Sequence, residues 1–203
     1  MIGKRKPKIY AFIDSQNLNV SVQNYGWKMN WRKFREFLTD KYGVTTAYMF
    51  IGYVPEHEDL YEKMHEAGYS VVLKPTYDMS RPRPENGNST DKKSDEPERK
   101  VKGNVDADLV LWAMKELKNY DKAVLVSGDG DFHVLVEYLA QNGRLLKLLT
   151  PTGHYSSLYR PFEQFIDVLD NHRRELAYHD KRRPNKPGNG SGNNHNHQKN
   201  PAA

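Results

Sequence analysis

The segment "KAVLVSGDGDFHVLVEYLA", residues 122–140, decides the fold. It opens with a short apolar run of strand type and closes with apolar residues at helical spacing. Between them lies a turn in which Asp129 and Asp131 flank a single glycine. Two carboxylates about 4 Å apart repel each other by about 1 kcal/mol in water and by about 4 kcal/mol at the effective dielectric of a protein surface. We therefore expect a compensating partner at this turn, which marks it as a candidate site.

Segments of strand type and helix type alternate on both sides of this turn. The predicted strands are 8–13, 44–54, 69–75, 122–127 and 144–150, with a short sixth strand at 165–170. The predicted helices are 30–43, 55–68, 105–117 and 131–143, and Gly43 is the expected end of the first of them. This alternation predicts an α/β fold with a mostly parallel sheet of five to six strands and helices on both faces. In such sheets, sites form beyond the carboxyl ends of the strands.

Two segments have a composition that cannot form a packed core. Residues 78–100 contain a single apolar side chain, Met79, and are predicted to be a mobile insertion. Residues 171–203 are basic and of low complexity, and they are predicted to be a largely disordered tail. The predicted organisation is one domain over residues 1–170, interrupted by the insertion and followed by the tail.

The net charge of +5 is distributed unevenly along the 203 residues. The segments 3–8 and 171–203 carry +4 and +5, which leaves −4 for residues 9–170. Basic ends attract a polyanion by releasing its counterions. A role in solubility alone is an equal alternative for them.

Composition also excludes several classes of protein. The sequence has no cysteine, so disulfides and cysteine–zinc sites are ruled out. No apolar run approaches the roughly 18 residues that a membrane span needs. The basic start is followed by an apolar stretch too short for a signal peptide. We expect a cytoplasmic protein with no membrane association.

Four aspartates fall where a parallel sheet would bring them together. Asp14 ends the first predicted strand, Asp106 begins a helix, and Asp129 and Asp131 follow the fourth strand. If the first and fourth strands are neighbours, these carboxylates meet at one edge of the sheet. Such hard oxygen ligands suit Mg²⁺ or Mn²⁺, and a divalent cation would remove the repulsion between them. A bound cation would also activate water and neutralise charge on a phosphodiester.

Each aspartate taken alone has a structural alternative. An aspartate after a strand is commonly a helix cap or a turn residue, and Asp131 is an N-cap candidate for the helix that follows it. Asp106 can equally be a favourable negative charge in the first turn of its helix. The joint placement of the four at strand ends is what favours a metal site.

Three motifs in register resemble the NYN branch of the PIN-like nucleases, particularly LabA-like proteins. They are "FIDSQNLN" at 12–19, "KGNVDADLVLWAM" at 102–114 and "LVSGDGDFHVLVEYLAQNG" at 125–143. The resemblance extends from about Ile9 to Asp170. It implies a Rossmann-like, PIN-like three-layer sandwich and metal-dependent cleavage of RNA.

The resemblance also assigns the acids of the site. The family's acids fall on Asp14, Asp106, Asp129 and Asp131, its companion asparagine on Asn17, and its small hydroxyl residue on Ser127. Some relatives carry a further acid about where Trp112 stands, and Asp108 is expected to point away from Asp106.

Chemistry suggests a role for each of these residues. We expect Asp14, Asp106 and Asp129 to hold the metal directly or through water, and Asp131 to support the site or orient the attacking water. Asn17 and Ser127 can contact a carboxylate or a phosphate oxygen without adding charge. Two cations further along the chain are candidate phosphate contacts, although a solvated role is common for such residues: Lys102 and Arg160.

The leading function is therefore a metal-dependent ribonuclease that acts on single-stranded RNA. We expect it to cleave endonucleolytically. A catalytically silent RNA-binding or regulatory module on the same fold is the alternative. An aspartyl-phosphate phosphatase is disfavoured because "DSQN" at 14–17 lacks the D-x-D nucleophile pair. Oligomeric state is left open, a homo-oligomer included.

Overall fold

The computed structural model describes residues 5–53, 57–74 and 105–179. Its centre is a six-stranded sheet of order β3-β2-β1-β4-β5-β6 in which every pair of neighbours is parallel. The strands are β1 (Ile9–Asp14), β2 (Val44–Gly52), β3 (Ser70–Lys74), β4 (Lys122–Val126), β5 (Leu145–Thr150) and β6 (Ile166–Val168). This is the strand order of a doubly wound, Rossmann-like sheet.

Helices cover both faces of this sheet. They are α1 (Ser15–Asn24), α2 (Trp31–Tyr42), α3 (Glu58–Glu66), α4 (Asp106–Lys115), α5 (His133–Gln141) and α6 (Arg173–Leu176). Side chains alternate along β1, so that Ala11 and Ile13 join the core under α1 and α2, whereas Phe12 joins the core under α4 and α5. The predicted α/β three-layer fold is confirmed, and all six of the described strands are parallel.

The helix boundaries follow from local capping. Asn30 caps α2 by accepting a hydrogen bond from Lys33 N–H at 3.1 Å. The helix ends, as predicted, at Gly43, whose φ of 69° lies in the left-handed region that favours glycine. Helix α1 has no counterpart among the sequence predictions, because its buried face has just two apolar residues, Leu18 and Val22. That spacing is too sparse for a clear helical period.

The folded part of the chain continues beyond the predicted domain end at residue 170. A 3-10 helix (Leu169–His172) leads into α6, Leu176 is fully buried, and Ala177 pairs with Met29 in an antiparallel bridge. The ordered helical segment after β6 thus contributes apolar side chains to the core as far as about residue 177. The rest of the predicted tail, 180–203, and the predicted insertion at 78–100 lie outside the described residues.

Within residues 5–53, 57–74 and 105–179, no helix has the length and apolar character needed to cross a bilayer.

Candidate functional site at the crossover of the sheet

The predicted neighbours β1 and β4 lie side by side at the point where the strand order reverses. Ile13 of β1 aligns with Val126 of β4. The chain leaves β1 into α1 on one face of the sheet and leaves β4 towards α5 on the other. A crevice forms at such a switch point because the two connections diverge.

Asp14 is the buried centre of this crevice, with 3% of its surface exposed. It is the N-cap of α1, and its Oδ1 accepts a hydrogen bond from Asn17 N–H at 3.0 Å. Its Oδ2 accepts a hydrogen bond from the hydroxyl of Ser127, which is fully buried, at 3.2 Å. Both carboxylate oxygens are thus oriented. Asp14 caps a helix, as the structural alternative expected, and the same side chain faces the crevice in which the candidate site lies.

The turn after β4 is tied to α1 through Asn17 and Ser127. Gly128 N–H donates to Oδ1 of Asn17 at 2.9 Å, and Asp129 N–H donates to Oγ of Ser127 at 3.1 Å. Asp129 in turn accepts a hydrogen bond from Asp131 N–H at 3.1 Å and caps the 3-10 turn Gly130–Phe132. The capping residue at this turn is therefore Asp129, two residues before the expected N-cap, Asp131, and the helix α5 that follows has no side-chain cap.

A cavity of about 270 Å³ opens between α1 and the start of α4. Its lining residues are Asp14, Gln16, Asn17, Val20, Val105, Asp106 and Asp129. Asp106 is the first residue of α4, where the positive end of the helix dipole favours a negative charge. Three of the four predicted acids therefore share one cavity, which we call the acidic cavity.

The carboxylates of the acidic cavity interact electrostatically. Burial raises the pKa of Asp14, and the negative charges of Asp106 and Asp129 raise it further. The hydrogen bonds from Asn17 and Ser127 oppose this shift without cancelling it. The pKa of Asp14 therefore remains above its ordinary value, so the folded protein disfavours its charged form.

The segment after β5 closes the other side of the turn. The hydroxyl of Tyr159, a fully buried residue, donates a hydrogen bond to the backbone carbonyl of Asp129. Burial raises the pKa of Tyr159, and the charges of Asp129, Asp131 and Asp14 add to the effect, so the phenol stays protonated and remains a donor. The sequence analysis did not anticipate this bond.

The remaining predicted residues lie elsewhere. Asp131 is exposed and does not line the cavity, and Arg160 is exposed on the 3-10 helix Ser157–Phe165, also outside the lining. Lys102 lies outside the described residues. Asp108 forms an ion pair with Lys74 at 3.0 Å, as its expected direction away from Asp106 requires.

Trp112 fills the position where some relatives carry a further acid. Its ring lies edge-on to Tyr48, with ring centroids 6.0 Å apart, and the ammonium of Lys115 lies 4.6 Å from its centre. Three lining residues of the cavity were missed by sequence analysis: Gln16, Val20 and Val105. They carry no chemical signature, and their position depends on the path of α1, which carries Gln16 and Val20, and on the start of α4, which Val105 precedes.

The donor set fits a hard cation in type. Asp14, Asp106 and Asp129 present oxygen ligands to one cavity. In the part of the chain that the structure describes, no three His, Cys, Asp or Glu side chains are close enough together to hold one ion. Mg²⁺ commonly uses one or two carboxylates and keeps several waters, so the arrangement suits a partly hydrated ion.

Comparison with known proteins agrees with this geometry. Residues 8–170 match the family model for the NYN domain. The chain belongs to the NYN domain family. The protein "Low amplitude and bright protein LabA" of Synechococcus elongatus is 24% identical over 174 residues, which cover 82% of this chain and 86% of LabA. The predicted NYN, LabA-like membership is thus confirmed.

A solved structure supports the fold. The crystal structure of a protein of unknown function from Vibrio parahaemolyticus has a TM-score of 0.63 and 22% identity, covering 88% of this chain and 100% of that protein. NYN domains as a family are nuclease-like, so this chain is a nuclease-like domain.

Proposed function

We propose that this protein is a metal-dependent ribonuclease that cleaves single-stranded RNA endonucleolytically. The observation that carries the proposal is the convergence of Asp14, Asp106 and Asp129 on one cavity at the crossover of the sheet. Burial raises the pKa of Asp14 and the charges of Asp106 and Asp129 add to this effect, so its charged form is costly without a cation. Membership of a nuclease-like family agrees with the proposal.

Each residue of the acidic cavity has a role in this proposal. Asp14 and Asp129 hold Mg²⁺ or Mn²⁺ from the ends of β1 and β4, and Asp106 does so from the start of α4, directly or through water. The bound ion supplies a more acidic water and neutralises charge on the phosphodiester. Asn17 and Ser127 fix the carboxylate of Asp14 and the turn that carries Asp129.

Residues outside the lining have supporting roles. Asp131 stabilises the turn through its backbone N–H and contributes negative charge next to the hydroxyl of Tyr159. Arg160 and Lys102 remain proposed phosphate contacts. Arg160 is exposed beside Tyr159, and a bound strand that leaves the cavity on that side would come within its reach.

The alternative is an RNA-binding module without cleavage on the same fold. One observation favours it: none of the described residues form a group of three acids close enough to hold one ion. A single experiment distinguishes the two functions.

The experiment compares Asp106→Asn with Asp108→Asn. Both substitutions remove one negative charge from the first turn of α4, but Asp106 lines the acidic cavity and Asp108 pairs with Lys74. Fluorescent single-stranded RNA of mixed sequence and a circular RNA are incubated with each protein in Mg²⁺, Mn²⁺ or EDTA. Opening of the circle reports endonucleolytic cleavage, which no exonuclease produces.

We expect wild-type protein and Asp108→Asn to open the circle in either metal, and EDTA or Asp106→Asn to abolish the reaction. Equal cleavage by both variants would locate the activity at another site or in a contaminant. Salt-sensitive RNA binding without cleavage by the wild-type protein in any metal would select the binding module instead.

A further inference from the structure

A second concave surface lies at the far end of α1, and we call it the basic groove. It is a cavity of about 570 Å³ whose lining includes Trp27, Lys28, Arg173, Arg174, Tyr178 and His179. No carboxylate lines it, so its charge is opposite to that of the acidic cavity.

The positive charges of the basic groove are uncompensated. Lys28 and Arg174 are exposed, and within residues 5–53, 57–74 and 105–179 neither takes part in an ion pair. Arg173 is held in place by the backbone, because its guanidinium donates to the carbonyls of Tyr25 (3.3 Å) and Gly26 (2.9 Å). Those bonds orient the guanidinium without neutralising it, so the groove presents fixed positive charge to a ligand.

The backbone that carries these charges is fastened to the fold on both sides. Tyr178 N–H donates to the carbonyl of Lys28 at 2.8 Å, and Asn30 N–H donates to the carbonyl of Leu176 at 2.8 Å. The indole N–H of Trp27, which is buried, donates to Asp170 at 2.9 Å. These hydrogen bonds hold the two segments that line the groove in fixed positions relative to each other.

Helix α1 connects the basic groove to the acidic cavity. Its first residues, with Asp14, Gln16 and Asn17, line the cavity, and the chain enters the groove at Gly26, two residues after the helix ends. Ten helical residues span about 15 Å at about 1.5 Å per residue. That length corresponds to roughly four to five stacked nucleotides at about 3.4 Å each.

Contacts at the carboxyl edge of the sheet provide a second link. Asp170 N–H, beside the Trp27 bond, donates to the carbonyl of Pro151 at 3.2 Å. Pro151 in turn lies against Gly128 of the turn after β4, 3.4 Å from where a Cβ would stand. The ring of Tyr25, directly before Gly26 of the groove, lies near that of His154, with centroids 5.9 Å apart.

We propose that the basic groove binds the phosphates of a single-stranded RNA whose neighbouring segment enters the acidic cavity. This inference rests on the proposed function. Lys28 and Arg174 contact phosphates, Arg173 contributes its oriented charge, and Tyr178, whose surface is 60% exposed, offers a ring on which a base can stack. The acidic cavity alone repels a polyanion, so a separate cationic surface is what retains the strand.

The test measures RNA binding separately from cleavage. An Asp106→Asn background is used to suppress the expected cleavage in Mg²⁺, and fluorescence anisotropy follows binding of a fluorescein-labelled oligouridylate of 12 nucleotides. The groove variant is Lys28→Ala/Arg174→Ala. The control is Lys63→Ala/Lys118→Ala, which removes the same charge from two exposed lysines outside the groove.

We expect the groove variant to weaken binding of the 12-mer at least tenfold. Affinity falls with salt, and the magnitude of the slope of log K against log salt should decrease by about 1.4. Each lost phosphate contact on a single strand contributes about 0.7 to that magnitude. The control should change neither quantity. In the background with Asp106 intact, the groove variant should raise KM for the 12-mer and leave kcat unchanged.

Unchanged 12-mer binding by the groove variant, in a protein that cleaves RNA, would overturn this inference and leave the proposed function standing. Two further probes are vesicles with 30% anionic lipid and a polyglutamate peptide. If either binds through Lys28 and Arg174 while RNA does not bind, the groove belongs to a different polyanion and the inference is overturned. A wild-type protein that binds RNA through the groove and cleaves none would overturn the ribonuclease alone.

Discussion

The acidic cavity and the basic groove lie at opposite ends of α1 and are built in opposite ways. In the cavity the central charge, Asp14, is buried, and two hydrogen bonds fix it. In the groove Lys28 and Arg174 are exposed on a fixed backbone. A buried carboxylate disfavours its own charge, whereas an exposed cation keeps its hydration.

This difference indicates two tasks. A site whose geometry must position a reacting group needs rigid, oriented ligands, and the energetic cost of burying them is offset when a cation binds. A surface that retains a flexible polyanion needs charge in approximately the right place, because counterion release provides most of the affinity. Changes in the cavity should therefore alter the rate of cleavage, and changes in the groove should alter affinity and its salt dependence.

The strongest test of this division is Asp14→Asn. Asparagine can still accept the hydrogen bond from Asn17 N–H and cap α1, but it removes the charge at the centre of the cavity. We expect kcat for RNA cleavage to fall by at least about 100-fold, the order of effect for losing one oriented electrostatic group in an active site. Binding of a 12-mer in EDTA should not weaken, because removing a negative charge reduces repulsion of the RNA.

Thermal unfolding in EDTA supplies the control for Asp14→Asn. The raised pKa of Asp14 means that the folded protein disfavours its charge at neutral pH, so the neutral variant should be at least as stable as the wild type. A lower midpoint together with lost cleavage would indicate a structural role and would break the comparison.

The next test concerns the rigidity of the turn in the cavity. A Cβ on Gly130 would lie 2.5 Å from Oγ and 3.1 Å from Cβ of Ser156, whereas one on Gly128 would meet its nearest neighbour at 3.4 Å. We expect Gly130→Ala to lower the free energy of unfolding by about 1–3 kcal/mol, because the post-β5 segment must shift to make room. Gly128→Ala, the matched control, should cost less.

Urea unfolding of both glycine variants checks this order, and a cleavage assay adds a second readout. Displacing Ser156 also displaces the segment that carries Tyr159, whose hydroxyl holds the carbonyl of Asp129. Gly130→Ala should therefore reduce kcat more than Gly128→Ala does. The reverse order in both assays would mean that the turn is not held by the post-β5 segment.

Sequence patterns predicted where the acids and their neighbours Asn17 and Ser127 would lie, but not the rest of the cavity and the segments that support it. The acids were predictable because the end of a strand can be read locally and parallel strands align their carboxyl ends, as Asp14 and Asp129 do. Tyr159 was not, because its bond to Asp129 joins residues 30 apart, and the sequence does not show that the segment after β5 folds back onto the turn after β4. Nor was the basic groove, since it combines Lys28 with the residues around α6, which the low-complexity pattern assigned to a disordered tail.

The smallest expected effect concerns the hydrogen bonds of Asp167, which connect the segment before α6, and so the basic groove, to α2 and β6. Asp167 of β6 accepts hydrogen bonds from Lys41 (2.8 Å) and Tyr42 of α2, and its other oxygen lies 3.0 Å from Nε2 of His172, just before α6. Burial alone would raise the pKa of Asp167, but these partners outweigh it and lower the pKa to about 2. The carboxylate therefore stabilises the folded state at neutral pH.

Asp167→Asn should lower the free energy of unfolding by about 1–2 kcal/mol at pH 6, allowing for partial solvent screening of the pair with Lys41. The folded pKa lies below the unfolded value of 3.8, so this stabilisation is complete above pH 4 or so and is lost as the pH falls towards 2. Urea midpoints of variant and wild type should thus converge between about pH 4 and pH 2. Because Arg173 and Arg174 follow directly after His172, the variant should also weaken 12-mer binding at pH 6 without changing kcat. A loss of kcat at unchanged affinity would mean that this hydrogen-bond network supports the acidic cavity and not the groove.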